Sequence, residues 1–276
     1  GRHEVTTGQW MEFVNTFSTQ SDDFSRFALP FHWGATRDPD YDGPGRRYKL
    51  RAGLEHADRI PVLGMDWREA AMFTNWLHNE KSSDLSAIED GAYDTSTFHT
   101  NSDGTFTDQA THHPDARYWI PTLDEWLKAA HYDPNRNEDD GWWLYNHMSN
   151  EAPVPGFPDE GETSTGLDWA FGEAIDIPLG SYPETRSPWG LLDMSGGAEE
   201  WTEEIKGDSE FRTTKGAGAA QLPEYYYLDQ AGFDFWNRPG FPGLQSGLRV
   251  AGIVPAPAGA LVIPAVCLWT VRRQWR

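Results

Sequence analysis

Residues 187–204, SPWGLLDMSGGAEEWTEE, form the part of the chain whose residue types most clearly suggest chemistry. A glycine pair lies between Asp193 and a run of carboxylates that begins at Glu199. Glycines allow a sharp turn, and carboxylates beside such a turn are ligands that hard cations such as Ca²⁺ prefer. The residues alone leave three interpretations open: an acidic turn, a metal site and the edge of an active site.

A second acidic run, DPDYDG, spaces Asp38, Asp40 and Asp42 as at the start of an EF-hand loop and follows them with Gly43. The twelfth position of an EF-hand loop is a bidentate glutamate. In this chain that position is Lys49. We therefore interpret the run as a polar turn.

Histidine and cysteine offer little further chemistry. His112 and His113 are adjacent, so on a strand they would point to opposite faces, and we interpret the pair as part of a surface loop. The single cysteine, Cys267, excludes an intrachain disulfide and a multi-cysteine metal cluster. The sequence contains no glycine-rich phosphate loop and no Gly-x-Ser-x-Gly elbow.

The charge balance excludes one class of partner. The 43 acidic and 22 basic residues give a formal net charge of -21, which repels phosphate backbones and anionic membrane surfaces. We predict that nucleic acid is not a partner. The 14 Trp, 27 Gly and 19 Pro residues predict a loop-rich domain in which large aromatic side chains hold irregular segments and regular secondary structure is modest.

Three amphipathic helices are predicted from capping residues and apolar periodicity. The first begins after Thr6 or Thr7, the second after Asp66 and the third after Thr122. The second and third also have the glutamate of a capping box three residues later. The predicted buried stripes are Trp10, Phe13, Val14 and Phe17 in the first helix, Ala70, Phe73, Trp76 and Leu77 in the second, and Leu123, Trp126, Leu127 and Ala130 in the third.

Strand signals are few and short. Residues 117–120, 175–179, 211–215 and 247–252 are the candidates. Long irregular tracts occupy residues 18–60, 82–118 and 135–175. Loops of this length in a compact domain are usually functional or fixed by a metal ion.

The end of the chain has a different character. Residues 253–271 contain no charged side chain and are followed by Arg272, Arg273 and Arg276, which suits a bilayer-spanning segment with the acidic domain outside. Prolines in the segment oppose a straight helix, so a terminal core strand with a tail is the alternative. We expect a membrane or sorting segment. The start has neither a methionine nor a secretory signal, and we expect a protein trimmed at its N-terminus.

Six segments in chain order carry a family resemblance: EVTTGQWMEFVN, PVLGMDWREAAMFTNWL, ARYWIPTLDEWLKAAHYD, SPWGLLDMSGGAEEWTEE, FRTTKGAG and SGLRVAG. Together they resemble the formylglycine-generating enzyme family, also called sulfatase-modifying factors. The resemblance implies one loop-rich α+β domain related to C-type lectins, with little regular secondary structure. We assign this domain to residues 1–252 and a separate C-terminal segment to residues 253–276.

The resemblance implies a groove whose copper chemistry is absent here. Copper-dependent members hold Cu(I) with two thiolates, and the equivalent positions fall near Gln221 and Tyr226. Other groove positions also differ, because Glu199 replaces a tryptophan, Gly218 a serine and Gln245 an asparagine. We therefore expect no copper and no formylglycine-generating oxidase activity.

The resemblance also implies a structural Ca²⁺ ion in the acidic turn. The family's ligands are side-chain oxygens at the positions of Asp193 and Glu200 and backbone carbonyls at the positions of Gly196 and Ala198. Ca²⁺ accepts six to eight such oxygen ligands. These four residues are the predicted metal site, and Ca²⁺ is the predicted cofactor.

The tail, VPAPAGALVIPAVCLWTVRRQWR, resembles a PEP-CTERM sorting signal, with Ala256 where that signal usually has glutamate. This resemblance implies a bacterial protein that exosortase-type machinery directs to the cell surface or outside the cell, with a membrane contact through the C-terminus.

The combined prediction is an extracytoplasmic, calcium-stabilised surface module that binds a glycan or peptide, or acts as a scaffold, without catalysis. The alternative is an enzyme that uses the same groove with non-cysteine chemistry. The loop at residues 221–236 is rich in aromatic residues, among them Tyr225 and Trp236, which suit stacking on sugars or peptides. Core packing explains these aromatic residues equally well.

Overall fold

A computed structural model of the chain describes residues 1–21, 26–27, 29–167, 172–219, 221–222 and 227–253. The helices are α1 (Thr7–Ser18), α2 (Trp67–His78), α3 (Ser86–Glu89) and α4 (Leu123–His131). The strands are β1 (Ala35–Arg37), β2 (Tyr48–Leu50), β3 (Tyr118–Trp119), β4 (Glu199–Lys206), β5 (Phe211–Lys215), β6 (Phe235–Asn237), β7 (Ser246–Gly247) and β8 (Ala251–Gly252). Long connections join these short elements, as expected for a loop-rich α+β domain.

The three predicted helices are confirmed, and each begins at a complete capping box. The side chains of Thr6, Asp66 and Thr122 accept a hydrogen bond from the third helical residue, whose own side chain accepts one from the cap's backbone N–H. This reciprocal arrangement satisfies two N–H groups that the first turn would otherwise leave without a partner. The sequence therefore specifies the start of each long helix locally.

Aromatic packing joins α1 to α2. The ring of Phe13 lies 4.5–5.8 Å, centroid to centroid, from five other aromatic rings. Trp10 and Phe17 on α1 and Trp76 on α2 are also buried in this cluster. Offset and edge-to-face aromatic contacts add to the free energy gained by burying apolar area. This cluster is the main core, and it fixes the first and second helices against each other.

A four-stranded sheet carries the acidic segment. Its order is β6-β5-β4-β7, with β4 antiparallel to β5 and parallel to β7. The indoles of Trp67 and Trp201 secure β4 to the core, because Trp67 Nε1 donates to the Thr202 carbonyl at 3.1 Å and Trp201 Nε1 donates to the Met65 carbonyl at 3.0 Å. Strand β4 is thus a central element whose first residues are buried.

The four predicted strands agree with the structure to different degrees. Strand β5 matches its prediction and β3 lies within its own. Residues 175–179 instead begin in a short 3-10 helix, Ala174–Asp176, and the Asp176 carboxylate lies 2.8 Å from His32 Nε2. Residues 247–252 contain the last residue of β7 and all of β8. Two further pairs, β1 with β2 and β3 with β8, complete the described strands.

The first and last described segments meet. The backbone N–H of Val5 donates to the carbonyl of Leu248 at 2.7 Å, and that of Leu192 donates to the carbonyl of Arg2 at 3.0 Å. Both contacts lie beside the acidic turn. The start of the chain, the middle of the chain and the approach to β8 therefore position one site together.

Candidate functional site

The acidic segment contains a tight turn followed by a strand. Asp193, Gly196 and Gly197 adopt positive φ angles of 55°, 86° and 64°. Only glycine adopts this region without steric cost, so the glycine pair shapes the turn and Asp193 is held in a strained conformation. The carboxylates that follow the turn belong to β4, where Glu199, Glu200 and Glu203 are buried.

Protein donors already satisfy the Asp193 carboxylate. The backbone N–H of Gly180 donates to both oxygens, at 3.0 and 2.8 Å, and His3 Nδ1 lies 2.8 Å from Oδ2. Asp193 is largely buried. Its negative charge is thus held by a backbone donor and a neighbouring histidine.

Glu200 forms a buried ion pair with Arg249. Nε of Arg249 lies 2.9 and 3.0 Å from the two carboxylate oxygens, and Nη2 lies 2.7 Å from Oε1. Trp126 Nε1 donates to Oε2 at 2.5 Å. A bidentate guanidinium-carboxylate pair is among the strongest hydrogen-bonded arrangements in proteins, and its burial makes the loss of either partner costly.

A third carboxyl group, that of Glu4, lies under the turn. The backbone N–H of Ala198 lies 3.1 Å from both of its oxygens. Burial, and then the nearby charge of Glu200, raise the pKa of Glu4 well above its ordinary value. A Cβ atom at Gly197 would lie 2.6 Å from the Glu4 oxygens, so only glycine fits at this position.

As arranged here, the predicted calcium ligands do not fit Ca²⁺. The side-chain oxygens of Asp193 and Glu200 accept hydrogen bonds from His3, Gly180, Trp126 and Arg249. Within the described residues, no three His, Cys, Asp or Glu side chains form a group that could hold a metal ion. An ion at Glu200 would compete with Arg249 and Trp126 for the same two carboxylate oxygens.

The predicted groove residues are brought together on the other side of β4. The Glu199 backbone N–H donates to the Gln245 carbonyl at 2.8 Å, and Gln221 Nε2 donates to Glu199 Oε1 at 2.7 Å. Burial raises the pKa of Glu199 to about 7, although the hydrogen bond from Gln221 opposes the shift. Gly218 packs so closely on Gln245 that a Cβ atom there would collide with Oε1 of Gln245. Tyr226, the remaining predicted groove residue, lies outside the described residues.

Three large apolar side chains are exposed on the segment that leads to Gln245. They are Trp236, Phe241 and Leu244, whose exposed fractions are 47%, 64% and 59%, and we call them the apolar rim. Leu244 directly precedes Gln245, whereas Trp236 lies toward the other end of β4, with Lys206 Nζ 4.6 Å from the centroid of its ring. The structure thus presents large apolar side chains to solvent along the approach to one groove residue.

The two adjacent histidines, His112 and His113, lie in different environments. His112 stacks on Trp119 at 4.5 Å, and its Nδ1 lies 3.0 Å from Glu203 Oε1. His113 is exposed, as the surface-loop interpretation expects. Glu203 also accepts a hydrogen bond from the Tyr93 hydroxyl at 2.5 Å. His112 is therefore an anchor between an irregular loop and β4, a role that its sequence neighbours do not reveal.

The DPDYDG run forms part of the connection between β1 and β2. Lys49 Nζ lies 2.8 Å from Asp38 Oδ1 and 3.2 Å from Asp40 Oδ2. The residue at the twelfth position is thus a cation that neutralises the run. These contacts agree with the polar turn.

Sequence reasoning did not identify three residues of the acidic site: His3, Glu4 and Arg249. Glu4 lies in the segment before the first helix, His3 directly precedes that segment, and Arg249 lies in the closing SGLRVAG segment. For Arg249 the available signal was a charged residue inside an otherwise apolar stretch. Burial of such a residue requires a partner of opposite charge or a hydrogen bond.

The fold and site define a loop-rich α+β domain built on a buried acidic turn. Residues 1–253 match the family model for the sulfatase-modifying factor enzyme 1-like domain. The chain belongs to this family. No curated protein sequence matches the chain.

Solved structures align with the chain at low sequence identity. The crystal structure of CarF aligns with a TM-score of 0.53 and 20% identity, and the alignment covers 92% of this chain and 85% of CarF. The structure of PvdO from Pseudomonas aeruginosa aligns with a TM-score of 0.46 and 16% identity over 92% of this chain and 79% of that one. The likeness to CarF supports the fold alone.

Proposed function

We propose that the chain is an extracytoplasmic, non-catalytic member of its family that binds a glycan or peptide at the surface formed by the predicted groove and its apolar rim. The observation that carries this proposal is the close packing of Gln245 on Gly218, because a Cβ atom at Gly218 would lie 2.2 Å from Gln245 Oε1. A catalytic groove needs an open space beside its reactive groups.

The absence of a thiolate pair supports the non-catalytic part of the proposal. The whole sequence contains one cysteine, Cys267, so one chain cannot supply the two thiolates that copper-dependent members use. Gln221, one of the two equivalent positions, instead hydrogen-bonds to Glu199. Amide and carboxyl groups are poor ligands for the soft Cu(I) ion.

The apolar rim supports the binding part of the proposal. Trp236 and Phe241 expose large aromatic faces, which stack on sugar rings and on apolar peptide side chains. Clustered exposed apolar side chains beside a groove commonly mark a recognition surface. We propose a cell-surface or secreted location on the resemblance of the C-terminal tail. Within the described residues, no helix is long and apolar enough to cross a bilayer.

Ligand binding by the Trp236 variant tests the proposal. The protein should bind members of a glycan array or a displayed peptide library, and Trp236→Ala should weaken that binding at least about tenfold because an aromatic contact is lost. Trp189→Ala is the matched control, since Trp189 is similarly exposed but donates through Nε1 to the Lys128 carbonyl. Equal binding by the two variants and the unaltered protein would remove the rim from the proposal.

The second candidate function is catalysis in the same groove. It is favoured by Glu199, which accepts a hydrogen bond from Gln221 at 2.7 Å and whose pKa burial raises to about 7, because a carboxyl group that titrates near neutral pH suits general acid-base chemistry. Assays with ester, glycoside and peptide substrates would distinguish the two functions. Turnover that Glu199→Gln abolishes while binding persists would establish an enzyme, and binding without turnover would support the binding module.

A further inference from the structure

Arg249 uses its hydrogen-bond donors inside the acidic turn. Besides its contacts with Glu200, Nη2 donates to the carbonyls of Leu192 and Asp193 at 2.9 and 3.1 Å. Nη1 donates to the carbonyl of Gly1 at 3.2 Å. Its side chain and that of Glu200 are almost completely buried. One guanidinium group therefore gathers a carboxylate and three backbone carbonyls, the same kinds of oxygen that a hard cation would gather.

A divalent ion would compete directly with this guanidinium. Ca²⁺ binds its oxygen ligands at about 2.3 to 2.6 Å. At that distance from Glu200 it would meet the N–H groups of Arg249 and Trp126, which already lie 2.5 to 3.0 Å from the same oxygens. Two positive groups would then share one carboxylate in a buried environment, where like charges repel strongly.

We infer that Arg249 is the resident cation of the acidic turn, so that residues 193–200 keep their conformation without Ca²⁺. The inference concerns stability, and it does not depend on the ligand-binding function proposed above. An arginine carries its charge at every physiological pH and matches a carboxylate with two parallel hydrogen bonds. The turn therefore needs no bound metal ion to keep its conformation.

The unaltered protein gives the first test. Its melting temperature should be the same in EDTA and in excess CaCl₂, and elemental analysis should find no stoichiometric calcium. Terbium, which replaces Ca²⁺, provides a local probe because Trp126 touches Glu200 and would sensitise terbium emission at this turn. Bound calcium whose removal lowers the melting temperature, together with terbium emission that Trp126→Phe abolishes, would overturn the inference.

Removal of the guanidinium gives the second test. Arg249→Gln should lower the melting temperature by several degrees, because the buried Glu200 carboxylate loses its counter-charge. CaCl₂ should restore part of that loss in the variant while leaving the unaltered protein unchanged. Arg117→Gln is the matched control, since its pair with Glu80 is exposed and contributes little.

A folded Arg249→Gln protein with the melting temperature of the unaltered protein would contradict the inference. If the variant fails to fold, the chelator and terbium measurements on the unaltered protein still decide the question.

Discussion

His131 is a buried titratable residue at the last turn of α4. Burial, and then the nearby charge of Lys215, lower its pKa to about 3. The unfolded chain binds a proton on this residue near pH 6.5, whereas the folded protein does so only near pH 3. Above pH 6.5 the residue is neutral in both states and does not change stability. As the pH falls from 6.5 toward 3, the unfolded chain is protonated first, so the free energy of unfolding decreases progressively.

Replacing His131 should reduce the loss of unfolding free energy that occurs as the pH is lowered. Between about pH 7.5 and about pH 5, the unaltered protein should lose about 2 kcal/mol more unfolding free energy than His131→Phe, because only the former gains a proton on unfolding. Urea titrations at the two pH values measure the difference. His113→Phe, at an exposed histidine, should behave like the unaltered protein, and a parallel loss in all three proteins would disprove this explanation.

The three capping boxes give the helices independent starting signals. Thr122 is the most informative, because α4 is short and carries Trp126, which contacts Glu200 in the acidic turn. Thr122→Ala removes the side-chain acceptor that satisfies the N–H of Glu125 and should cost about 1 kcal/mol of unfolding free energy. Thr122→Ser keeps the acceptor and should lie close to the unaltered protein. Equal stabilities for the Ala and Ser variants would show that the cap contributes nothing.

How far the sequence predicts the elements depends on whether their signals are local. Capping residues and a period of 3.6 lie within each helix, so α1, α2 and α4 are predictable with their buried faces. Strand β4 was not predicted, because EEWTEE resembles a solvated acidic run. Its burial depends on partners far away in the chain, since Glu200 pairs with Arg249 and Glu203 with Tyr93 and His112.

The candidate site shows the same division. The glycine pair, Asp193 and the groove residues could be named from their segments. The hydrogen-bond partners of Asp193 could not be named from the sequence, because His3 and Gly180 come from separate parts of the chain. Which residue supplies the counter-charge of a buried carboxylate depends on the tertiary structure, so the sequence of the acidic segment alone does not reveal it.

The whole molecule carries a large uncompensated negative charge. A net charge of -21 destabilises the compact state through self-repulsion, even when individual carboxylates are well paired. Raising NaCl from about 20 to about 200 mM shortens the Debye length from roughly 20 to roughly 7 Å. The melting temperature should therefore rise over this range. The gain should shrink as the pH is lowered and carboxylates become protonated, and a fall in melting temperature with added salt would contradict the explanation.

The contact between Val5 and Leu248 has a consequence for biosynthesis. The ribosome delivers residues 1–20 long before residues 245–253, yet the acidic turn is complete only when both have arrived. Until then, the aromatic faces of α1 and α2 can pack on each other, but Glu200 lacks the guanidinium that neutralises it. Closure of the site is thus a late step of folding, and contacts so distant in sequence make folding slow compared with that of a helical bundle.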